Sequence, residues 1–163
     1  MIFGKKNKEG NRAVNLTYID GIETYSRGTA VEVSINEANE CLTVKARAFK
    51  KADIHLKLDQ ITGVNVVSEK EIIEKSKSTV GRAVAGGVLL GTLGAIVGGM
   101  SGIGNKQKSE THYFMIINYK SRSEEIKVLS FEIVGASLHW SSFVKELRSK
   151  INAETLENKE VYL

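Results

Sequence analysis

The sequence predicts a mainly β fold of the α+β class, in which a bent seven-stranded antiparallel sheet is closed by a C-terminal amphipathic helix. In short runs on both sides of a glycine-rich segment, apolar and polar residues alternate with the period of β-strands. Near the C-terminus the apolar residues recur instead at helical spacing. With 163 residues, 42% of them apolar, the chain is long enough to bury one core.

Seven runs carry the strand pattern. In the second run, for example, Val31, Val33 and Ile35 alternate with polar or smaller residues and therefore share one face of a strand. The predicted strands cover residues 13–19, 29–35, 41–48, 53–58, 63–68, 112–119 and 125–132.

The predicted helix covers residues 137–152, with Ser137 as its N-cap. Its apolar face carries Trp140, Phe143, Val144 and Leu147, which we expect to hold the sheet closed. The resulting domain spans residues 13–152, between a basic N-terminal tail (1–12) and a C-terminal tail (153–163).

A glycine-rich hydrophobic insert, residues 76–105, interrupts the strands. Residues 83–103 form a stretch of 21 residues without a charge, about the length that crosses a bilayer as a helix. A single crossing would separate strands that belong to one sheet, so the insert must return to the side where it began. The sequence therefore predicts a helical hairpin with arms at 76–90 and 93–103.

Glycines at four-residue spacing give this predicted hairpin flat helical faces, which allow close helix contact. The candidate self-association residues are Gly87, Gly91, Gly94, Gly98 and Gly102. Three interpretations of the insert stay open: it packs on its own domain, it joins several copies, or it enters one membrane leaflet.

The chemistry-bearing residues predict no enzyme and no metal or cofactor site. Cys41 is the single cysteine, and the spacing of His55, His112 and His139 does not predict metal ligands on one face. The sequence places no histidine base beside Cys41. The glycines also lack the lysine of a P-loop and the GxGxxG spacing of a dinucleotide site.

Charge indicates an anionic partner surface more than a nucleic acid, because a net charge of +4 is modest. The candidate residues for an anionic lipid surface are Lys45, Arg47, Lys50, Lys51 and Arg82. A solvated strand face is the alternative. Polar residues follow the initial lysines, so no signal peptide is predicted and a cytoplasmic protein is expected.

Three stretches resemble a known family. Residues 60–64 (QITGV) are similar to a sequence motif of small bacterial pleckstrin-homology-like (PH-like) domains. Residues 129–131 and the predicted helix after them are similar to the last strand and helix of these domains. Residues 76–83 (SKSTVGRA) running into 98–104 (GGMSGIG) resemble a group of Gram-positive and phage PH-like proteins with a glycine-rich insert. The resemblance implies a PH-like seven-stranded sheet or barrel, but no common activity.

These observations lead to two hypotheses. The first is a non-catalytic PH-like scaffold that forms homo-oligomers through its glycine-rich hairpin, peripherally at the cytoplasmic membrane face. The alternative, in line with the phage proteins among the similar ones, is a soluble adaptor or inhibitor that binds a host protein through a sheet edge or the insert.

Overall fold

The structure, a computed structural model, describes residues 6–77, 83–101 and 111–157, with the side chains of 6–77, 83–99 and 111–151. Seven strands form one antiparallel sheet in the order β4-β3-β2-β1-β9-β8-β5. They are β1 (Arg12–Asp20), β2 (Ala30–Asn36), β3 (Cys41–Ala46), β4 (Ile54–Lys57), β5 (Ile61–Ser68), β8 (Tyr113–Lys120) and β9 (Ile126–Ile133). A 3-10 turn, Leu58–Gln60, joins β4 to β5.

Each of the seven predicted strands corresponds to one of these strands, with boundaries that differ by a few residues. The mainly β fold class is confirmed. The alternation of apolar residues is a reliable signal here because one face of every strand contributes to a common interior.

The main core lies inside the curved sheet and is sealed by the C-terminal helix, α3 (Trp140–Glu157). Val14 and Leu16 of β1 and Val33 of β2 lie in it, fully or almost fully buried. From α3 it receives Phe143, Val144, Leu147 and Ile151, while Trp140 is partly buried against it. The predicted role of this helix in closing the sheet is confirmed.

The boundaries of α3 differ from the prediction. Ser137 is not its N-cap: its hydroxyl donates to the carbonyl of Asn15 and accepts from the Val134 N–H at 3.0 Å, so it ties the loop to β1. The helix begins at Trp140 and continues to Glu157, so the predicted tail from residue 153 begins too early. Residues 158–163 lie outside the described part.

The glycine-rich insert is not a helical hairpin. After β5 the chain forms α1 (Glu69–Ser76), and later the two-stranded hairpin β6 (Val84–Ala85) and β7 (Val88–Leu89), followed by α2 (Leu93–Ser101). At the hairpin turn, Gly86 and Gly87 have φ of 58° and 83°. Consecutive positive φ values are those of a tight hairpin turn and are incompatible with a right-handed helix. Within the described residues of the two predicted arms, 93–101 are helical, whereas 83–90 are not.

Candidate functional site

The insert lies on the outer face of the sheet and forms a second hydrophobic core there. Phe114 and Ile116 of β8 point outwards into it, whereas their neighbours Met115 and Ile117 point into the main core. The insert contributes Ala83, Ala85, Val88, Leu90, Leu93 and Val97, all buried. Of the three open interpretations, packing on its own domain therefore describes most of the insert between residues 83 and 97.

Asn118 of β8 fixes the hairpin to the sheet. Its side-chain oxygen accepts from the Leu89 N–H at 2.7 Å, and its side-chain nitrogen donates to the Leu89 carbonyl at 3.0 Å. Asn65 of β5 adds a hydrogen bond to the carbonyl of Gly86. Because amide side chains satisfy these backbone groups, the short hairpin can pack on a sheet with which it forms no ladder.

The start of α2 is positioned by hydrogen bonding and close contact. Thr92 donates its hydroxyl to a carboxylate oxygen of Asp20 at 2.8 Å. Gly94 lies so near Ser76, at the end of α1, that a Cβ built on it would overlap the Ser76 side chain. A glycine is therefore required where α2 crosses α1.

The opposite face of α2 is exposed. Ala95, Gly98 and Gly99 lie on that side, and in the described part of the chain a Cβ built on Gly98 or Gly99 meets nothing within 4 Å. These three residues, which we call the outer face of α2, are three and four residues apart and so adjacent on the helix surface.

The five glycines predicted for self-association do not form one helical stripe. Gly87 lies in the hairpin turn and Gly91 has a φ of 56°, so neither belongs to a helix. Gly94 faces α1 and Gly98 the outer face, while Gly102 lies outside the described residues. The sequence spacing alone could not distinguish the hairpin turn, the contact with α1 and the outer face of α2, since each of these sites tolerates or requires glycine.

A family model for the glycine zipper containing PH domain matches residues 21–137 of the 163. The chain belongs to this family. A comparison with curated proteins finds no match. The match extends from the β1–β2 loop to the residues before α3, so it includes the described insert and confirms the predicted PH-like domain.

No helix in the described part of this glycine zipper containing PH domain is long and apolar enough to span a bilayer. α2 has nine residues, about 14 Å at 1.5 Å each, which is roughly half of the hydrocarbon core.

The basic residues predicted to contact an anionic surface have different surroundings in this PH domain. Lys45 contacts the Glu9 carboxylate at 2.9 Å and the Asp53 carboxylate at 4.0 Å. Its hydrogen bond with Glu9 raises the pKa of Lys45 and, in return, lowers the pKa of Glu9. Two carboxylates therefore offset the charge of Lys45. Arg82 lies outside the described residues.

The remaining basic residues lie in the β3–β4 loop, residues 47–53. Lys51 donates to the Thr24 carbonyl at 2.8 Å, while Arg47 and Lys50 are exposed. Between them Phe49 is 67% exposed, a side chain that the sequence interpretation overlooked. Exposed aromatic and basic residues thus share one loop, here called the Phe49 loop (residues 47–51).

Cys41 has a histidine neighbour that sequence reasoning did not find. His55 Nδ1 lies 3.9 Å from the Cys41 sulfur and 3.0 Å from the Thr43 hydroxyl. The cause is the β3–β4 register, which pairs Thr43 with His55, and no local signal predicts a register. Cys41 is only 5% exposed. In the described residues, no group of three or more His, Cys, Asp or Glu side chains could hold a metal ion.

Proposed function

We propose that this PH-like domain is a non-catalytic scaffold that self-associates through the outer face of α2. The observation that carries the proposal is the two-sided arrangement of the helix. Gly94 packs against Ser76 of α1 inside the domain, whereas the outer face of α2 (Ala95, Gly98 and Gly99) is flat, uncharged and exposed. The membership in a family named for a glycine zipper supports the same role.

Contact between two copies of α2 is physically favourable on this face. Small residues three and four positions apart let helix backbones approach closely, which increases van der Waals contact. The nine residues of α2 carry no charge, so no ion would lose its hydration in the contact. The same principle operates within the domain where Gly94 meets Ser76.

The experiment is light scattering of the full chain over a range of protein concentrations. We expect oligomers for the natural chain and a mass near the 17.9 kDa monomer for Gly99→Leu, alone and combined with Gly98→Leu. A Cβ at either position meets no described atom within 4 Å, and both residues are exposed, so the fold should persist.

Gly135→Leu is the matched control, because a Cβ at Gly135 also meets nothing within 4 Å in the described part of the chain and lies outside α2. It should assemble like the natural chain. A natural chain that stays monomeric, or a Gly99→Leu variant with unchanged oligomer mass, would refute the proposal.

A second function, contact with an anionic membrane surface, is favoured by the Phe49 loop. An exposed aromatic side chain beside Arg47 and Lys50 fits the interfacial region of a bilayer, where aromatic rings insert and cations meet headgroups. The offset of Lys45 by Glu9 and Asp53 restricts the proposed contact to the tip of the loop.

Sedimentation with vesicles tests this second function. We expect the full chain to sediment with vesicles of mixed phosphatidylserine and phosphatidylcholine, and Phe49→Ser to lose most of that binding. Leu138→Ser is the control, because Leu138 is similarly exposed, at 65%, in a different loop. Equal binding of the mixed vesicles by Phe49→Ser and Leu138→Ser would exclude the role of the Phe49 loop. So would a full chain that binds vesicles of phosphatidylcholine alone as well as it binds the mixed vesicles.

A further inference from the structure

A groove of about 670 Å³ separates α3 from the edge strand β5. Apolar surface comes from Val66 of β5, Tyr113 of β8, and Trp140 and Val144 of α3. Tyr113 is 47% exposed, so a large aromatic face is open to a partner. The groove is distant in sequence from the outer face of α2, none of whose residues lines it.

The backbone of β5 beside this groove is already hydrogen bonded by side chains. Arg148 donates through Nε to the Val64 carbonyl at 3.0 Å and through Nη2 to the Asn65 side-chain oxygen at 2.6 Å. The same oxygen accepts from the Val66 N–H at 2.9 Å. A peptide strand would have to displace these bonds to extend the sheet, so recognition here depends on side chains.

The charge of the groove is one-sided. Lys145 and Arg148 are both exposed at its rim, and the other described residues that line it carry no carboxylate. On α3, the nearest acidic neighbour in sequence, Glu146, forms an ion pair with Arg12 of β1. The described lining of the groove thus combines apolar side chains with positive charge that none of its own residues offsets, which is complementary to an apolar group beside an anion.

We propose that this groove binds a protein segment in which a large apolar side chain lies next to one or two carboxylates. The apolar side chain contacts Trp140, Tyr113 and Val66, and the carboxylates pair with Lys145 and Arg148. This interaction is separate from self-association through α2, and either can fail without the other.

The test uses the full chain and three synthetic pentapeptides: acetyl-Ser-Glu-Phe-Glu-Ser-amide, the same peptide with Lys for Glu, and the same peptide with Ser for Phe. Trp140 is the only tryptophan, so its fluorescence reports occupancy of the groove directly. We expect a saturable change with the first peptide alone. Amide chemical shifts should move at Val66, Tyr113 and Val144.

Lys145→Glu should weaken binding of the acidic peptide roughly fivefold to tenfold, because an attractive rim charge becomes repulsive. Lys127→Glu, an exposed lysine on β9 outside the groove, changes the net charge equally and should leave the affinity unchanged. Arg148 is unsuitable for this test because it also holds β5.

The proposal is overturned if the acidic peptide leaves Trp140 fluorescence unchanged at about 1 mM, the weak end of specific affinities. Equal binding of the lysine peptide, equal weakening by both charge variants, or shifts confined to another surface would also overturn it. If the Trp140 fluorescence or the amide shifts of the groove change with protein concentration in the absence of peptide, a second copy of the chain occupies the groove. That result would also overturn the proposal.

Discussion

Asn118 satisfies both backbone groups of Leu89, accepting from its N–H at 2.7 Å and donating to its carbonyl at 3.0 Å. A side chain of the main sheet thus takes the place of a neighbouring strand for the insert. Asn118 is 5% exposed, so these bonds form where water has little access. The position of the β6–β7 hairpin on the sheet depends on this amide.

Asn118→Ala should lower the free energy of unfolding by roughly 2–4 kcal/mol, since it leaves two backbone groups of Leu89 without partners in a partly buried site. Denaturant titration measures the loss. Asn39→Ala, in the exposed β2–β3 turn, is the control and should change stability by no more than about 0.5 kcal/mol. Equal effects of the two substitutions would contradict the anchoring role of Asn118.

Alanine at the two kinds of α2 glycine should act in opposite directions. Gly94→Ala should destabilise the domain by about 1–3 kcal/mol, because its Cβ overlaps Ser76. Gly99→Ala should stabilise it by up to about 1 kcal/mol through helix propensity, since the added methyl meets no described neighbour.

Adding Ser76→Gly to Gly94→Ala tests the cause of the first effect. The double variant should recover part of the lost stability, because the overlapping side chain is gone. Thermal and denaturant unfolding of the four chains would show the coupling. Additive effects of the two substitutions would mean that the two residues do not contact each other.

Alkaline pH should weaken the fold through Tyr18. Burial raises the pKa of this hydroxyl, which donates to the Ile22 carbonyl at 2.9 Å and accepts from the Ile22 N–H at 2.7 Å. Because the folded state binds the proton more tightly, stability is complete below about pH 10 and falls as the pH rises further. Burial raises the pKa of Tyr25 as well, in the same direction.

Urea titrations between about pH 8 and pH 11 test this expectation. Tyr18→Phe should start from a lower stability, through its lost hydrogen bonds, but show a shallower alkaline decline than the natural chain. Tyr113→Phe, which removes an exposed hydroxyl, is the matched control. An identical decline in the Tyr18 variant would exclude the effect.

At acid pH the contact between α3 and the β2–β3 turn should weaken. The Glu37 carboxylate lies 2.9 Å from Lys150 Nζ, and that hydrogen bond lowers the pKa of Glu37. The contribution of the pair is therefore present above the ordinary carboxyl pKa of about 4.5 and is lost as the pH falls through the lowered value.

Lys150→Met should flatten this part of the pH–stability curve, and the effect should be small because Glu37 is exposed. Lys70→Met, an exposed lysine on α1, is the comparison that removes the same charge elsewhere. A curve that keeps its full slope in Lys150→Met, measured by denaturant titration, would contradict the contribution of the pair.

Local patterns predicted the elements that bury one regular face. The alternation of Val31, Val33 and Ile35 identified β2, and the helical spacing of Phe143 and Leu147 identified α3. Ser68 and Glu71 are a signal that could have predicted α1: Ser68 caps this helix by accepting from the Glu71 N–H at 3.2 Å. These features depend on neighbours in sequence, so the sequence contains the information.

Other features depend on partners far away in the chain. Ser137 is a residue type that commonly caps helices, but its hydroxyl instead bonds the carbonyl of Asn15 and the N–H of Val134. The neighbours Cys41 and His55 are brought together by strand register. Gly86 and Gly87 disfavour a helix and favour a turn. That the turn belongs to a β-hairpin on the sheet depends on the hydrogen bonds from Asn65 and Asn118.

The seven-stranded sheet, the closing helix, the glycine-rich insert and the PH-like family could be predicted from the sequence, because periodicity and short motifs are local properties. The tertiary structure was needed to show that the described insert is a β-hairpin packed on β8 and a helix packed on α1. It also decided that Gly94 faces inwards and Gly99 outwards. Glycine constrains its environment only weakly, so the packing of α2 on α1, where Gly94 meets Ser76, determines which side of the helix is covered.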